Sequence, residues 1–411
     1  MPDVAVIGGG AAGFFAAINI KKKHPGLKVH IYEKSRTVLG KVKVSGGGRC
    51  NVTHACFIPE DLVRYYPRGH KELLSVFQRF NPIHTIEWFH RNGVRLKTES
   101  DGRMFPVSDD SQTIIDCFLG NCTRLDIPVH TNHAVQEIEK TDGGFNLKIN
   151  DKIVKASKIV VSPGSSEHFW NMLKTLGHTI VPHVPSLFTF NIKHPLLKEL
   201  MGLSLANATV KLVIGNAVCK ANKLREDDLA QSGPLLITHW GLSGPAVLKL
   251  SSVAARVLNQ VNYEFDILLN LTGKEAGEVD RTLQSSKQEN SKKRIVNTPL
   301  FNIPSRLWTR LLEVSLNRTD MNWADLSKKD MALLSESLYA FRLPVKGKST
   351  FKEEFVTAGG VDLKEVDFKT MESKAVPGLY LAGEVLNIDA LTGGFNFQAA
   401  WSEGWVISES I

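Results

Sequence analysis

Three glycines, Gly8, Gly10 and Gly13, form G-x-G-x-x-G inside "VAVIGGGAAG", directly after an apolar run and at the mouth of a helical stretch. A pyrophosphate needs this arrangement. Gly8 permits a tight turn, and Gly10 lets the backbone approach the phosphates alongside the amides of Ala11 and Ala12. Gly13 lets the helix lie close to the sheet, and the helix turns its positive N-terminal end toward negative charge. Glu33 stands twenty residues after Gly13, at the end of the next apolar run, where a carboxylate accepts hydrogen bonds from an adenosine ribose. A strand-to-helix turn with no ligand would carry the same glycines, and FAD and NAD(P) share the fingerprint.

A second stretch, "KVSGGGRCNVT" at residues 43–53, admits three chemistries. It could cradle phosphate, hold a nucleophilic thiol, or clasp a flat ring. Beside Arg49, Cys50 would be acidified and reactive. Yet Cys56 is six positions on, which does not match the C-x-x-x-x-C of disulfide-reducing flavoproteins. Cys117 and Cys122 have that spacing but fall in a helical segment without the glycine-rich context such a motif needs. The clasp reading lays Ser45, Gly46, Gly47, Gly48, Arg49, Cys50 and Asn51 as a glycine-flattened backbone against a planar ring, with Arg49 and Asn51 as polar contacts and Cys50 packed beside them.

Near the C-terminus, "GLYLAGEVLNIDALTGGFNFQAAW" supplies a short strand ending in Gly383-Glu384 and a second glycine pair, Gly393-Gly394, opening a helix. Such a strand end fits a second close approach to a flavin, and the helix start would aim positive charge at its pyrimidine edge. In "THWGLSGPAVLKLS", Ser243-Gly244-Pro245 starts a helix. His239, just before it, is either a proton donor over a substrate or a structural histidine. None of the thirteen histidines shows metal-ligand spacing.

The elements that must position these residues follow from periodicity. Val4–Ile7, the helical Ala11–Lys23, a Pro25-Gly26 break and "KVHIYEK" form a β-α-β entry to a parallel, doubly wound sheet. Helical segments are predicted around 71–91 and 111–125, and a β-meander over 129–161. Residues 186–270 are rich in strand-like runs, 274–340 are charged and helical, and past 351 the chain is again glycine-rich and apolar. The end resembles the beginning. The expected organisation is therefore a Rossmann-like α/β domain from 1–185 and 346–411, interrupted by a β-barrel-like and helical insertion at 186–345.

At 411 residues the chain exceeds one ordinary core. Its 43% hydrophobic and 22% charged content is that of a globular protein without disordered tracts. The apolar start lacks a basic flank, so neither a signal peptide nor a membrane span is expected. Five cysteines in an odd set (Cys50, Cys56, Cys117, Cys122, Cys219) suggest free thiols in a reducing cytoplasm. A net charge of +8 suits an anionic cofactor or substrate, and in a rival reading it would let "SKKR" and "KKK" track RNA phosphates.

Seven motifs in order, "IGGGAAG", "SGGGRCNVT", "THWGLSGPAVLKLS", "VTAGGV", "MESK", "GLYLAGEVL" and "TGGFNFQAAWSEG", resemble the BaiN/YhiN-like family of flavoproteins, also described as aminoacetone oxidase family FAD-binding enzymes, over nearly the whole chain. The resemblance implies FAD as cofactor and an oxidoreductase acting on a small organic substrate, with NAD(P)H as a transient co-substrate. It assigns the pyrophosphate to Gly8–Gly13 and the ribose to Glu33 with Lys34 beside it. It also brings Val135 to the adenine through its backbone, and closes Glu384, Asn387, Gly393, Gly394, Phe395 and Asn396 over the ribityl chain and ring. Where relatives carry an A-T-G-G type turn, this chain has "VVSPGSSEHFW", keeping Gly164 with Ser165 beside it. The alternative is a flavin-containing RNA-binding or RNA-modifying protein. Substrate, electron donor and oligomeric state are not legible in the sequence.

Overall fold

The computed structural model describes residues 2–215, 218, 226–349 and 356–411; Cys219 lies outside the described residues. The chain divides into two compact units, Met1–Val184 with Lys352–Ile411, and Pro185–Phe351.

The first unit is built on a parallel sheet. Val4–Ile7 runs between Val29–Tyr32 and Lys158–Val161, with Val129–His130 beyond the former and Leu379–Leu381 beyond the latter. Two short antiparallel strands, Glu372–Ser373 and Val366–Asp367, finish the edge. Every residue of Val4–Ile7 is buried, which is why the strand reads as an unbroken apolar run rather than an alternation. The helix Ala11–Lys23 packs against the C-terminal helix Phe395–Ser410. Gly404 permits their closeness: a Cβ there would lie 3.0 Å from the Ala16 nitrogen and 3.2 Å from the Ala12 oxygen. Phe15, Phe80, Trp88 and Trp401 fill the interior around these helices, with ring centroids 4.7–5.4 Å from that of Phe15.

Two sequence expectations are refined here. The helical stretch at 71–91 is two helices, His70–Arg79 and Pro82–Arg91. Asn81 breaks it by capping the second helix, accepting from Ile83 N at 3.0 Å, and Pro82 occupies the first position. The meander keeps only Val135–Thr141, Gly144–Ile149 and Lys152–Ala156. "KIVKASKIVVS" is not one strand, because the Ser157 and Lys158 amides both bond the Asp3 carbonyl. That turn carries Lys158–Val161 out of the meander and into the parallel sheet beside Val4–Ile7.

The second unit is a seven-stranded antiparallel sheet in the order Phe341–Lys346, Glu264–Asn270, Ser204–Val213, Ala230–Ile237, Gly241–Ser243, Thr189–Asn191, Lys348–Ser349. Helices Ala276–Glu289, Ser305–Leu316 and Lys328–Tyr339 accompany it. Its own core includes Phe190, Val210, Leu250, Trp308 and Trp323. Pro245 starts the helix Pro245–Val253 as its sequence predicts, and the apolar run then bends at Ala254 into Ala255–Gln260. No helix among the described residues is long and apolar enough to cross a membrane.

Candidate functional site

In a doubly wound sheet, ligands bind outside the carboxyl ends of the strands where the strand order reverses. Here that point is the end of Val4–Ile7, and several turns meet there. Gly8 has φ +107°, and a Cβ on it would stand 2.3 Å from the Ser162 carbonyl oxygen; one on Gly13 would stand 2.1 Å from the Gly8 oxygen. Both glycines are demanded by the protein itself. Gly10 is not: its φ is an ordinary −94° and nothing lies within 4 Å of where its Cβ would be. A glycine with neither strain nor neighbour, at a helix N-terminus, is what a closely approaching pyrophosphate requires, so the cradle fits a dinucleotide. Glu33 is held at the next strand's end, accepting from Gly9 N through Oε2 and from Ser35 N through Oε1, both at 2.8 Å. Lys34 beside it is exposed.

The "SGGGRC" segment differs from the flat backbone expected of it. Gly46, Gly47 and Gly48 all take left-handed φ values of +59°, +69° and +84°, and Cys50 follows at +62°, so the chain coils at the end of Gly40–Gly48 instead of lying extended. Leu39 N bonds the Gly9 oxygen at 2.8 Å, which ties this coil to the dinucleotide turn. Nothing lies within 4 Å of the Cβ positions of Gly47 and Gly48. The Arg49 guanidinium stacks over Phe105 at 4.0 Å and pairs with Glu99 at 2.6 Å, so it is committed within the protein. Cys50 is fully buried, and burial pushes its thiol up to about 12. That is the opposite of the acidified nucleophile Arg49 suggested, because desolvation outweighs the hydrogen bond with Ser45 that opposes it, and the guanidinium faces Glu99 instead. Cys117 and Cys122 are free thiols on the helix Gln112–Arg124, likewise pushed up to about 11 and about 12 by burial.

Asn51 joins the two ends of the chain. Its amide donates to the Thr53 oxygen at 3.1 Å and accepts from Gly394 N at 3.0 Å, and a Cβ on Gly394 would collide with the Thr53 oxygen at 2.6 Å. Glu384 pairs with Lys41 across the same junction. Gly383 follows the strand Leu379–Leu381, and its Cβ position lies 3.3 Å from Ala12 Cβ. Phe395 stacks on Tyr65 at 4.2 Å and on His54 at 4.6 Å, close to Gly393. Asn396 turns back to its own loop, accepting from Ala390 N at 3.0 Å. Asn387 N donates to the Val361 oxygen.

Of the remaining expected contacts, Val135 is buried and its carbonyl is bonded by His168 Nε2 at 3.2 Å. Gly164 adopts φ +71° in the turn after Lys158–Val161. His239 and Trp240 are exposed on the second unit. Three features had escaped the sequence reading. Arg68 makes a two-pronged ion pair with the fully buried Asp389. Gln398 accepts from Thr53 Oγ1 at 2.6 Å and Thr85 Oγ1 at 2.9 Å while donating to Ser402. Glu403, fully buried, accepts from Gly383 N at 2.5 Å. Only the phase of Gln398 and Glu403 along a helix rich in Ala, Trp, Phe and other apolar residues hinted that they point inward.

The model of the HI0933-like protein Rossmann domain matches residues 2–410. A ribosomal RNA dihydrouridine synthase of Escherichia coli K12 is 28% identical over 424 aligned positions, covering 100% of this chain and 98% of the relative. A 3-dehydro-bile acid delta(4,6)-reductase of Clostridium scindens is 28% identical over 426 positions, covering 99% and 98%. Among solved structures, the open conformation of a flavocytochrome c3 fumarate reductase superposes with a TM-score of 0.50 at 14% identity, covering 100% of this chain and 78% of that one, a likeness of fold. With the glycine turns gathered at the strand ends and the match running almost end to end, the chain belongs to the HI0933-like Rossmann family of flavoprotein oxidoreductases.

Proposed function

We propose that this protein binds FAD across the turns at Gly8–Gly13, Ser45–Asn51 and Gly383–Asn396, and reduces a carbon–carbon double bond conjugated with a carbonyl, drawing electrons from NADH or NADPH. The observation that carries the cofactor assignment is the open space at Gly10, framed by glycines that the protein's own packing demands. When bound, FAD supplies the hydride chemistry. The chain's own residues bind and orient. Amides at the start of Ala11–Lys23 face the phosphates, Glu33 receives the ribose hydroxyls, and Asn51 holds the two glycine segments in register. The buried Phe395 and its stacked neighbours wall the site with apolar surface that excludes water.

The double bond as target rests on chemistry shared by two relatives' names, a bile acid delta(4,6)-reductase and a dihydrouridine synthase. Each describes the saturation of a C=C next to a carbonyl. The test is anaerobic. Purified protein is mixed with NADH or NADPH and the visible flavin absorption is followed, then a steroid enone, a simple cyclic enone or a uridine-containing RNA is added. Bleaching by nicotinamide and recovery on adding an enone is the expected result. A flavin bleached only by amines, with no recovery on any enone or uridine, would sink the reductase reading.

A second reading, in which the ring reduced is a uridine in RNA, is favoured by the distribution of charge. Residues 185–351 carry 22 basic and 15 acidic side chains, whereas the rest of the chain carries 28 and 27. Binding to RNA that falls steeply with salt, together with flavin re-oxidation by RNA and not by free enones, would favour it.

A further inference from the structure

We propose that Glu403 makes cofactor binding proton-linked: its carboxyl group is neutral when FAD is held, and its ionisation loosens the dinucleotide. The inference rests on the placement of FAD at Gly8–Gly13.

Glu403 lies on the C-terminal helix with no exposed surface. One carboxyl oxygen accepts from the Gly383 amide at 2.5 Å; the other is buried without a hydrogen-bond partner. The next residue, Gly404, packs against Ala12 and Ala16, and Gly383 abuts Ala12. Ala12 belongs to the first turn of the helix whose amides face the pyrophosphate. Glu403 therefore sits beneath both glycine turns, and a negative charge there would act on the phosphates through protein rather than water.

The surrounding groups offer little compensation. On the helix Ala11–Lys23 the ionisable residues are Lys21, Lys22 and Lys23, at its far end. Lys23 pairs with Glu409, which Arg79 of the helix His70–Arg79 also holds, and Lys41 is paired with Glu384. The hydroxyl of Tyr66, fully buried, stays protonated and donates to the Phe395 oxygen. His54, on the strand beneath the helix, stacks on Phe395. Burial without a counter-charge pushes the Glu403 carboxyl up to about 8, with the Gly383 amide opposing.

The sign follows from linkage. A dinucleotide's phosphates are anionic throughout the neutral range, so they bind better to the neutral acid, and binding raises its proton affinity further. Below about pH 7 the group is protonated in both states and affinity is level. Above about pH 8 each FAD that binds must bring a proton with it, and affinity falls by up to tenfold per pH unit.

Apoprotein is titrated with FAD between about pH 6.5 and 9.5, and calorimetry in buffers of different ionisation enthalpy counts protons taken up. The proposal expects level affinity at the acid end, a decline of up to tenfold per unit above about pH 8, and uptake approaching one proton per FAD there. In Glu403→Gln the amide oxygen still accepts from Gly383, so affinity should stay level and uptake disappear. A pH-independent affinity in the unaltered protein, or uptake that persists in Glu403→Gln, overturns this inference alone. Should Glu403→Gln fold poorly, the proton count on the unaltered protein decides the matter. Failure to bind FAD at every pH would overturn the cofactor reading, and this inference with it.

Discussion

Gly8, Gly10 and Gly13 look alike in the sequence and differ in what constrains them. A methyl group at Gly8 or Gly13 meets backbone within 2.3 Å, while one at Gly10 meets nothing. Gly8→Ala and Gly13→Ala should therefore cost the apoprotein about 1–3 kcal/mol through overpacking and strain. Gly10→Ala should leave apoprotein stability unchanged and weaken FAD binding at least tenfold. Denaturant unfolding of apoprotein, set beside FAD titrations, separates the two classes; a destabilised Gly10→Ala would contradict the open cradle. Cys50 supplies a second check at this scale. A buried thiol pushed up to about 12 should resist iodoacetamide at neutral pH for as long as the protein is folded, which mass spectrometry of alkylated peptides would reveal.

The C-terminal helix shows what one element can carry. Gln398 satisfies the hydroxyls of Thr53 and Thr85, and the Ser402 hydroxyl donates to the Phe80 carbonyl. Gln398→Met would strand two buried hydroxyls, and a loss of about 2–4 kcal/mol is expected in urea unfolding. Glu403 acts in the other direction. Its carboxyl rises from the ordinary 4.5 to about 8 on folding, so from about pH 4.5 to 8 the unfolded chain holds fewer protons than the native one. Stability contributed by this group therefore falls as pH rises through that window. Glu403→Gln should remove the slope and stabilise the apoprotein at about pH 7.5 by roughly 1–3 kcal/mol. An apoprotein equally stable with either residue across the window would contradict the buried acid.

Much of this element was legible: Gly393-Gly394 announced its start, and apolar residues on every side announced burial. Its polar members were not, because the partners of Gln398 and Glu403 lie up to 345 positions away in sequence. A gap of 50 positions hid Glu99 from Arg49, whose ion pair decides that the guanidinium faces protein. The triple glycine announced unusual backbone but not its form: glycine serves both a left-handed turn and a backbone that a planar ring must approach closely, and the positive φ values of Gly46, Gly47 and Gly48 show that it coils. The turn at Ser157 was invisible because both halves of "KIVKASKIVVS" have the same strand-like composition.

At the scale of the molecule, the two units own separate cores. Trp88, Trp170, Trp401 and Trp405 belong to the first, and Trp240, Trp308 and Trp323 to the second. FAD held by the first unit should raise that unit's unfolding transition, by about 2.7 kcal/mol at a hundredfold excess over Kd. Tryptophan fluorescence of variants lacking either set would assign the shift. An equal shift in both transitions would show a cofactor bound by both units.

The order of the strands also sets a timetable. Val4–Ile7 and its glycine turn are made first, but the strand that supplies Gly383 and the helix that begins after Gly394 are made last. During synthesis the early segment waits while the whole second unit and the closing stretch are added, about 10–45 s at ordinary elongation rates. Throughout that interval the Lys158–Val161 edge has no Leu379–Leu381 to pair with. The newborn chain must shelter an apolar sheet edge long before it can hold its cofactor.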